Sequence, residues 1–186
     1  MKKLKWVVCL SGPCVLLLGL ILLFGQFTLA GHAQTTQQST AASTNAAKGK
    51  LIVVSLSHQW MYVYQDGQQI ADSPVTTGQP QLPTPTGVYH IFSKSSPITF
   101  HSPWPKSSPY WYPPTKVQYA MEWRAGGYYL HDAWWHTVFG PGTNVRHQDP
   151  TYGWQSGSHG CVEMPLDAAK WLYNWAPIGT TVEVER

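Results

Sequence analysis

The chain has 186 residues, which is enough for one domain and a targeting segment but not for two sizeable domains. Its formal net charge is +3, and three of its twelve Lys and Arg residues (Lys2, Lys3 and Lys5) lie at the N-terminus. The other nine are balanced by nine Asp and Glu residues. A neutral domain lacks the basic surface of nucleic-acid-binding proteins, and this class is therefore excluded.

The first 30 residues are predicted to be an export segment. The three lysines precede an apolar run from Trp6 to Ala30, a pattern that directs export and keeps the lysines in the cytoplasm. Cleavage after Ala30 or Ala33 would release a secreted protein. Alternatively, the run of about 24 residues is long enough to stay as a membrane anchor, since about 20 residues span a bilayer. The run exceeds the usual signal core, which favours the anchor; both outcomes place the domain outside the cytoplasm.

Residues 31–49 are predicted to be a flexible linker, because they are mostly Ala, Thr, Gln, Ser and Asn and cannot form a core. The β-strand patterns begin at Leu51, and the folded domain is predicted over residues 50–186. Runs of β-branched, aromatic or alternating apolar residues predict strands at 51–57, 60–64, 87–92, 117–123, 128–130 and 180–185. Asp66-Gly67 follows the second run and predicts a hairpin turn.

One helix is predicted over residues 167–175, which have an apolar face and lie between Pro165 and Pro177. Two segments, 94–115 and 136–157, are rich in Pro, Ser or Gly. They predict long surface loops, which in a compact domain tend to be functional. The expected fold class is therefore mostly β, with one helix in the C-terminal half.

Cys161 is the only cysteine outside the N-terminal apolar segment, so it cannot form a disulfide within the domain. A thiol in an exported domain is either a small buried residue or a nucleophile, and a nucleophile needs a nearby base. His131 follows a predicted strand and His159 lies two residues before the cysteine, and spacing alone does not decide between them. Gly160 permits a positive φ that turns backbone amides toward an oxyanion. Asp132 is a candidate for orienting a histidine.

Metal binding is a second use of the same types of side chain. Five candidate ligands lie close together in the sequence: His131, His136, His147, His159 and Cys161. They lack the His-Glu-x-x-His and Cys-x-x-Cys spacings of zinc sites. No metal or other cofactor is therefore expected.

The chain is rich in aromatic residues, with ten Trp and ten Tyr. Five of the tryptophans lie in loop-like stretches: Trp104, Trp111, Trp134, Trp135 and Trp154. They can form a platform for sugar rings or peptide. Alternatively, they are the packing residues that a small β domain uses in its core and loops.

Three parts of the chain resemble motifs of one known family. They are residues 75–78 with 84–89 (VTTG and TPTGVY), 129–133 (YLHDA) and 157–162 (GSHGCV), the last followed by a helix-like stretch at 165–175. In this order they resemble the L,D-transpeptidase (YkuD-type) catalytic domain family, and the resemblance covers residues 50–185. It implies a β-sandwich or barrel-like domain with one helix in its C-terminal half, preceded by an N-terminal hydrophobic segment.

The resemblance implies specific roles around the thiol. Cys161 would be the nucleophile that accepts the acyl group, and His131 would accept and donate the proton. Asp132 occupies the place of the family's third member, which acts through its backbone carbonyl. Backbone amides near Gly160 and Cys161 would stabilise the oxyanion.

Ser158 and His159 belong to the same motif, and the resemblance implies that they shape the site. Glu163 differs from the Arg or Asn that is common in the family after Cys-Val, and it changes the charge beside the thiol. The implied substrates are peptidoglycan stem peptides, a donor tetrapeptide and an acceptor amine, joined in a 3→3 cross-link with release of D-alanine. An uncleaved N-terminal segment would make the bacterial membrane a further partner.

Three alternatives remain at this point. If water took the place of the acceptor amine, the enzyme would be an L,D-carboxypeptidase. Cysteine hydrolases of the papain or cell-wall endopeptidase kind place Cys before His in the chain, whereas here His131 precedes Cys161. A non-catalytic module that binds the cell wall through its aromatic residues would not use the thiol at all.

Overall fold

The computed structural model describes residues 47–186. In chain order its elements are β1 (Lys50–Ser55), β2 (Trp60–Gln65), β3 (Gln68–Pro74), β4 (Gly87–His90), β5 (Ser93–Ser95), β6 (Ile98–Phe100), β7 (Thr115–Val117), β8 (Ala120–Arg124), β9 (Tyr128–Asp132), β10 (His147–Asp149), β11 (Gly153–Gln155), β12 (Val162–Met164), α1 (Leu166–Trp175) and β13 (Thr181–Glu185). Two sheets contain most strands, in the orders β3–β2–β1–β13–β4 and β12–β9–β8–β5. The predicted export segment 1–30 and most of the predicted linker 31–49 lie outside the described residues.

One apolar core joins the two sheets and the helix. Ile52 and Val54 of β1 alternate with more exposed neighbours and are fully buried, because successive strand residues point to opposite faces. The other contributors from the strands include Met61, Val63, Met121, Trp123, Leu130, Val162, Met164, Val182 and Val184. The core therefore occupies one face of each sheet and leaves the other face of each strand free for the surface or for a site.

The first sheet brings the two ends of the domain together. β1 pairs in parallel with β13 and antiparallel with β2. β2 and β3 form the hairpin that the sequence predicts at Asp66-Gly67. Both turn residues have positive φ, +50° and +82°, as a two-residue type I′ turn requires. The predicted hairpin is confirmed.

Helix α1 packs on the second sheet and begins directly after Pro165, as predicted. Ala169 and Leu172 are its buried residues. At its C-terminal end the Lys94 ammonium group donates to the backbone carbonyls of Tyr173 and Ala176. A cation at this end satisfies free carbonyls and interacts favourably with the helix dipole, so Lys94 of β5 ties the helix to the sheet.

The predicted fold class, a mostly β domain with a helix in the C-terminal half, is confirmed. Each predicted strand overlaps an observed one. The six strands β5, β6, β7, β10, β11 and β12 have only three residues each, too few to show an alternating pattern. Three of them, β6, β10 and β11, lie inside the segments predicted to be loops.

Within residues 47–186, no helix is both long enough and apolar enough to cross a lipid bilayer.

Candidate active site

Cys161 and His131 lie on neighbouring segments of the second sheet. Cys161 directly precedes β12, which runs parallel to β9 with Val162 opposite Leu130 and Glu163 opposite His131. Val162 and Leu130 are fully buried in the core. Their sequence neighbours therefore point to the opposite face of the sheet. The predicted nucleophile and the predicted base share this face, one strand apart.

The His131 imidazole is held in one tautomer. Its Nδ1 lies 2.8 Å from the backbone carbonyl oxygen of Asp132. Because a carbonyl only accepts, Nδ1 carries a proton, and in the neutral ring Nε2 is left as the base. Phe100 and Trp135 contact the same ring, with centroid separations of 5.1 and 5.9 Å. One backbone group and two aromatic rings therefore fix the position of a nearly inaccessible imidazole.

The Asp132 carboxylate has a structural partner that the sequence did not suggest. It accepts hydrogen bonds from the backbone N–H groups of Gln118 and Tyr119, at 2.9 and 2.7 Å. These two residues connect β7 to β8, directly after the segment 94–115. The Asp132 carbonyl orients His131, in agreement with the backbone role that the resemblance implies, while its side chain anchors the end of this segment.

Ser158 and Gly160 form a tight turn that directs the backbone of Cys161. The Ser158 hydroxyl accepts from the Gly160 N–H at 3.0 Å and donates to the Cys161 carbonyl at 2.6 Å. Gly160 has φ +109°, and a Cβ there would lie 2.8 Å from Cε1 of Tyr128, so a larger residue would be strained. The Gly160 amide is committed to Ser158. Of the two predicted oxyanion donors, this leaves the Cys161 amide.

Thr84 supports this turn from the first of the family-like segments. Its hydroxyl accepts from the Gly78 N–H at 2.8 Å and donates to the Gly160 carbonyl at 3.1 Å. Gly78 itself bridges to Ser158. Thr84 lies in one of the family-like motifs, but the sequence alone predicts no role for it. Its side chain joins the two segments that carry the resemblance.

The surroundings of the Cys161 sulfur favour the neutral thiol. Burial raises the pKa of Cys161 to about 12, and the charges of Glu163 and Glu122 act in the same direction, against an opposing hydrogen bond from the Tyr129 backbone amide. The thiol is therefore protonated at neutral pH. Its use as a nucleophile requires a base that takes the proton during attack.

Glu163 is a buried carboxylate on the same face as the thiol, and it is paired. Its Oε2 lies 2.9 Å from Nε2 of His136, and the two side chains are 8% and 2% exposed. The backbone of Glu163 exchanges two hydrogen bonds with Thr76, at 2.8 and 2.9 Å. A buried charge is tolerated when it is paired in this way. The partner, His136, is 27 residues away in sequence and was not predicted.

His159 lies among aromatic rings of the segment 94–115, which we call the aromatic loop. The centroids of Trp104, Tyr112 and Tyr110 lie 5.1, 5.3 and 6.4 Å from that of His159. Burial lowers the pKa of His159, against the opposing charge of Glu163, so the ring is neutral at pH 7. The predicted site-shaping residue therefore serves as the packing point of the loop.

Three aromatic residues near the thiol were not singled out from the sequence. Phe100 packs on Tyr129, with centroids 4.9 Å apart, as well as on His131. The pKa of Tyr112 is raised mainly by burial and to a smaller extent by the charge of Cys161. Burial raises the pKa of Tyr129 to about 12, with Glu122 acting in the same direction. The only signal for them was the aromatic content of the aromatic loop and of the strand before His131.

The segment 136–157, which we call the capped segment, is fixed by a buried carboxylate. Asp149 accepts backbone hydrogen bonds from Thr137, Val138, Thr151 and Tyr152 at 2.7, 3.3, 2.9 and 2.9 Å, and one from the Thr137 hydroxyl. Burial alone would raise the pKa of Asp149, but these hydrogen bonds outweigh it and lower the pKa well below the ordinary range. The ionised carboxylate therefore joins the start of the capped segment to the turn between β10 and β11.

Among residues 47–186, no three His, Cys, Asp or Glu side chains are placed to hold one metal ion. Of the five candidate ligands, His136 and His147 stack on each other with centroids 6.0 Å apart. His136 is bound to Glu163, and His131 to the Asp132 carbonyl.

Comparisons with known proteins agree with this geometry. The family description of the L,D-transpeptidase catalytic domain (YkuD) matches residues 49–184. L,D-transpeptidase 1 of Mycobacterium tuberculosis is 30% identical over 137 residues, which are 71% of this chain and 49% of that protein. The chain thus spans about half the length of this curated relative.

Solved structures give the same result. The L,D-transpeptidase from Mycobacterium smegmatis has a TM-score of 0.62 and 26% identity, covering 74% of this chain and 59% of that one. The L,D-transpeptidase LdtMt1 in complex with imipenem also has a TM-score of 0.62 and 26% identity, covering 73% and 58%. The chain therefore belongs to the L,D-transpeptidase (YkuD) catalytic domain family.

Proposed function

We propose that the chain is a peptidoglycan L,D-transpeptidase that forms 3→3 cross-links through a thioester on Cys161 and releases D-alanine. The observation that carries the proposal is the placement of Cys161 and His131 on one face of adjacent parallel strands, with His131 Nδ1 held by the Asp132 carbonyl. These residues supply a nucleophile, a base and a group that orients the base. Membership of the family supports the reaction class.

In the first half-reaction, His131 Nε2 accepts the thiol proton while the Cys161 sulfur attacks the carbonyl of the third residue of the donor tetrapeptide. The backbone amide of Cys161 donates to the developing oxyanion. Collapse of the tetrahedral intermediate breaks the C–N bond to the terminal D-alanine, whose amine takes the proton from His131. A thioester remains on the enzyme. The high pKa of the thiol fits a proton transfer that accompanies the attack.

In the second half-reaction, the amine of a second stem attacks the thioester and gives a proton to His131. The S–C bond breaks, and the Cys161 sulfur takes the proton back. Water in place of the amine would make the enzyme an L,D-carboxypeptidase. The rings of Phe100, Trp104 and Tyr112 over His131 and His159 reduce access of water, which favours the amine.

The proposed reaction also gives the domain a location. Its substrates lie outside the cytoplasm, and the pattern of residues 1–30 supports export followed by release or membrane anchoring. We propose that the domain works at the cell wall.

Mass spectrometry after incubation with a disaccharide tetrapeptide tests the assignment. We expect loss of one D-alanine and an acyl adduct on Cys161. Cys161→Ser and His131→Ala should each lower D-alanine release by about 10³-fold or more, as loss of a nucleophile or its base does in hydrolases. His58→Ala, at an exposed histidine in the β1–β2 turn, is the control and should keep the parental rate. Release at that rate by both site variants would show that the assignment is wrong.

Imipenem gives a second probe that needs no acceptor. The similar structure of LdtMt1 in complex with imipenem supports the expectation that this compound acylates Cys161. The adduct should appear on the Cys161 peptide and be absent from Cys161→Ser. A non-catalytic wall-binding module would form no adduct with either reagent, and Cys161→Ala would keep all of its wall binding.

A further inference from the structure

A groove of about 470 Å³ lies beside the candidate site and takes no part in the reaction proposed above. It runs between the residues after Gly78 and the β10–β11 hairpin. The side chains that matter for its chemistry are Gln79, Gln81, Arg146, Trp154, Gln155 and Ser156.

The groove and the thiol are parts of one stretch of backbone. Gln79 donates its backbone N–H to the Ser158 carbonyl at 2.9 Å, and Ser156 lies two residues before that carbonyl. Cys161 is five positions after Ser156, and an extended chain spans at most about 3.6 Å per residue, so the two lie within about 18 Å. A three-residue stem peptide spans roughly 10 Å on the same rule. The sugar that carries a stem bound at the thiol therefore starts about 10 Å from the sulfur, inside this limit of about 18 Å.

Trp154 stands out on the wall of this groove. Its side chain is 63% exposed, and the Arg146 guanidinium lies over its ring, 4.4 Å from the centroid. A single exposed tryptophan is ordinary on a protein surface. Here the ring belongs to a hairpin that the Asp149 carboxylate holds rigid, so it is presented to a ligand with little loss of conformational entropy.

The polar groups around Trp154 are mostly neutral. Gln79, Gln81 and Gln155 offer amides that both donate and accept, and Ser156 offers a hydroxyl. Arg146 is the one charged residue that lines the groove, and within residues 47–186 no carboxylate forms a salt bridge with it. An aromatic face, neutral hydrogen-bonding groups and one cation without a carboxylate partner match a sugar chain with hydroxyl and acetamido groups that carries an acidic peptide.

We propose that this groove, the Trp154 groove, binds the N-acetylated glycan strand of peptidoglycan next to the stem peptide that reacts at Cys161. The Trp154 ring packs on the C–H face of a sugar, the amides bind its hydroxyl and acetamido groups, and Arg146 binds a carboxylate of the attached stem. The identity of the ligand rests on the proposed function, while the existence of a sugar site does not.

Two measurements on the full chain test the groove. The first is binding of a soluble N-acetylglucosamine hexamer, followed by isothermal titration calorimetry. We expect Trp154→Ala to weaken binding about tenfold, as loss of an anchoring aromatic residue does, and Trp154→Phe to restore most of it. Trp171→Ala removes a tryptophan of 40% exposure from helix α1 and is the matched control, which should bind like the parent.

The second measurement compares D-alanine release from a disaccharide tetrapeptide and from the free tetrapeptide. Trp154→Ala and Arg146→Gln should lower kcat/KM for the sugar-bearing substrate several-fold more than for the free peptide, mainly through KM. An equal loss on both substrates would show that the groove takes peptide, and no loss on either would show that it takes no part of the substrate. Both results overturn the proposal.

Failure of the proposed function would look different. If the parent chain released D-alanine from neither substrate but bound the hexamer through Trp154, the proposed reaction would be wrong and the proposed sugar site would be supported. If the parent chain did not bind the hexamer but released D-alanine from both substrates equally well, the proposed sugar site would be wrong and the proposed reaction would be supported.

Discussion

The two segments that border the candidate site are held in place by different forces. The aromatic loop is fixed mainly by ring contacts, of Trp104, Tyr110 and Tyr112 with His159 and of Phe100 with His131. The capped segment is fixed by hydrogen bonds to two buried carboxylates, Asp149 and Glu163.

The difference has a consequence for how each segment responds to change. Aromatic contacts are worth about 0.5–1.5 kcal/mol per pair and tolerate sliding and tilting. Hydrogen bonds to a buried carboxylate are directional, and loss of one partner leaves a buried polar group unsatisfied. We therefore expect the capped segment to behave as a fixed wall of the site and the aromatic loop as a cover that loosens first.

The largest effect is expected for Asp149→Asn. The variant loses an ionised acceptor that serves four backbone amides and one hydroxyl. Because the native carboxyl pKa is lowered, the contribution of Asp149 is fully present above its ordinary pKa of about 3.9. It is lost as the pH falls through the lower native value. Urea unfolding at pH 7 and at pH 3 should show a marked loss at pH 7 and a smaller one at pH 3.

Asp72→Asn is the control for this experiment, because Asp72 is an exposed carboxylate on β3 that also accepts side-chain hydrogen bonds. It should change the free energy of unfolding little at either pH. Equal effects of the two substitutions would contradict the idea that a buried carboxylate fixes the capped segment.

An intermediate effect, on reactivity more than on stability, is expected for Glu163→Gln. The amide can still accept from His136, so the contact between the capped segment and β12 is kept. Burial, the main cause of the raised thiol pKa, also stays, but one of the two negative charges beside Cys161 is removed. The pH dependence of iodoacetamide alkylation, followed on the Cys161 peptide, should shift to lower pH.

Glu122→Gln provides a second test of the electrostatic effect. Glu122 is the other carboxylate whose charge raises the pKa of the thiol, and its effect is smaller than that of Glu163. Its shift should have the same sign and be smaller. A shift of either variant to higher pH would contradict the electrostatic assignment.

The smallest effect is expected at the aromatic loop, for His159→Gln. Loss of the ring should cost about 1 kcal/mol of packing and increase trypsin cleavage at Lys106, which lies exposed in the loop. The burial that lowers the pKa of His159 also predicts a pH effect. The unfolded state binds more protons below its pKa of about 6.5, so stability of the loop is complete above this value and is lost as the pH falls toward the lower native value.

Hydrogen exchange of residues 101–114 at pH 7 and pH 5, corrected for the intrinsic rate, measures this effect. His159→Phe keeps a ring but cannot titrate, so its loop should be protected equally at both pH values. A parental loop that is equally protected at both would show that His159 does not control the cover.

Local patterns were sufficient to predict the fold class. Asp66-Gly67 specifies its turn by two residues alone, and helix α1 is bounded by Pro165 and Pro177. The choice of His131 over His159 as the predicted base came from the family resemblance, because the spacing of the two histidines in the sequence does not decide between them. Where a strand is long enough to show alternating apolar and polar residues, as at 180–185, the sequence also predicts which of its faces is buried.

The remaining features depend on contacts between distant parts of the chain. The capping of Gln118 by Asp132 follows from the pairing of β8 with β9. The contact of Glu163 with His136 depends on β12, which has only three residues and no pattern of its own. The packing of the aromatic loop on His159 likewise joins residues from separate segments. No spacing in the sequence predicts such contacts, because only tertiary folding brings the partners together.

The position of β13 between β1 and β4 links completion of the domain to the synthesis of its last strand. β13 pairs with β1 on one side and with β4 on the other. A nascent chain that ends before Thr181 therefore presents two unpaired strand edges, which are sites for pairing with other chains. Contacts between such distant residues also form slowly. We expect the emerging chain to depend on protection by other proteins until β13 has been made and the sheet is complete.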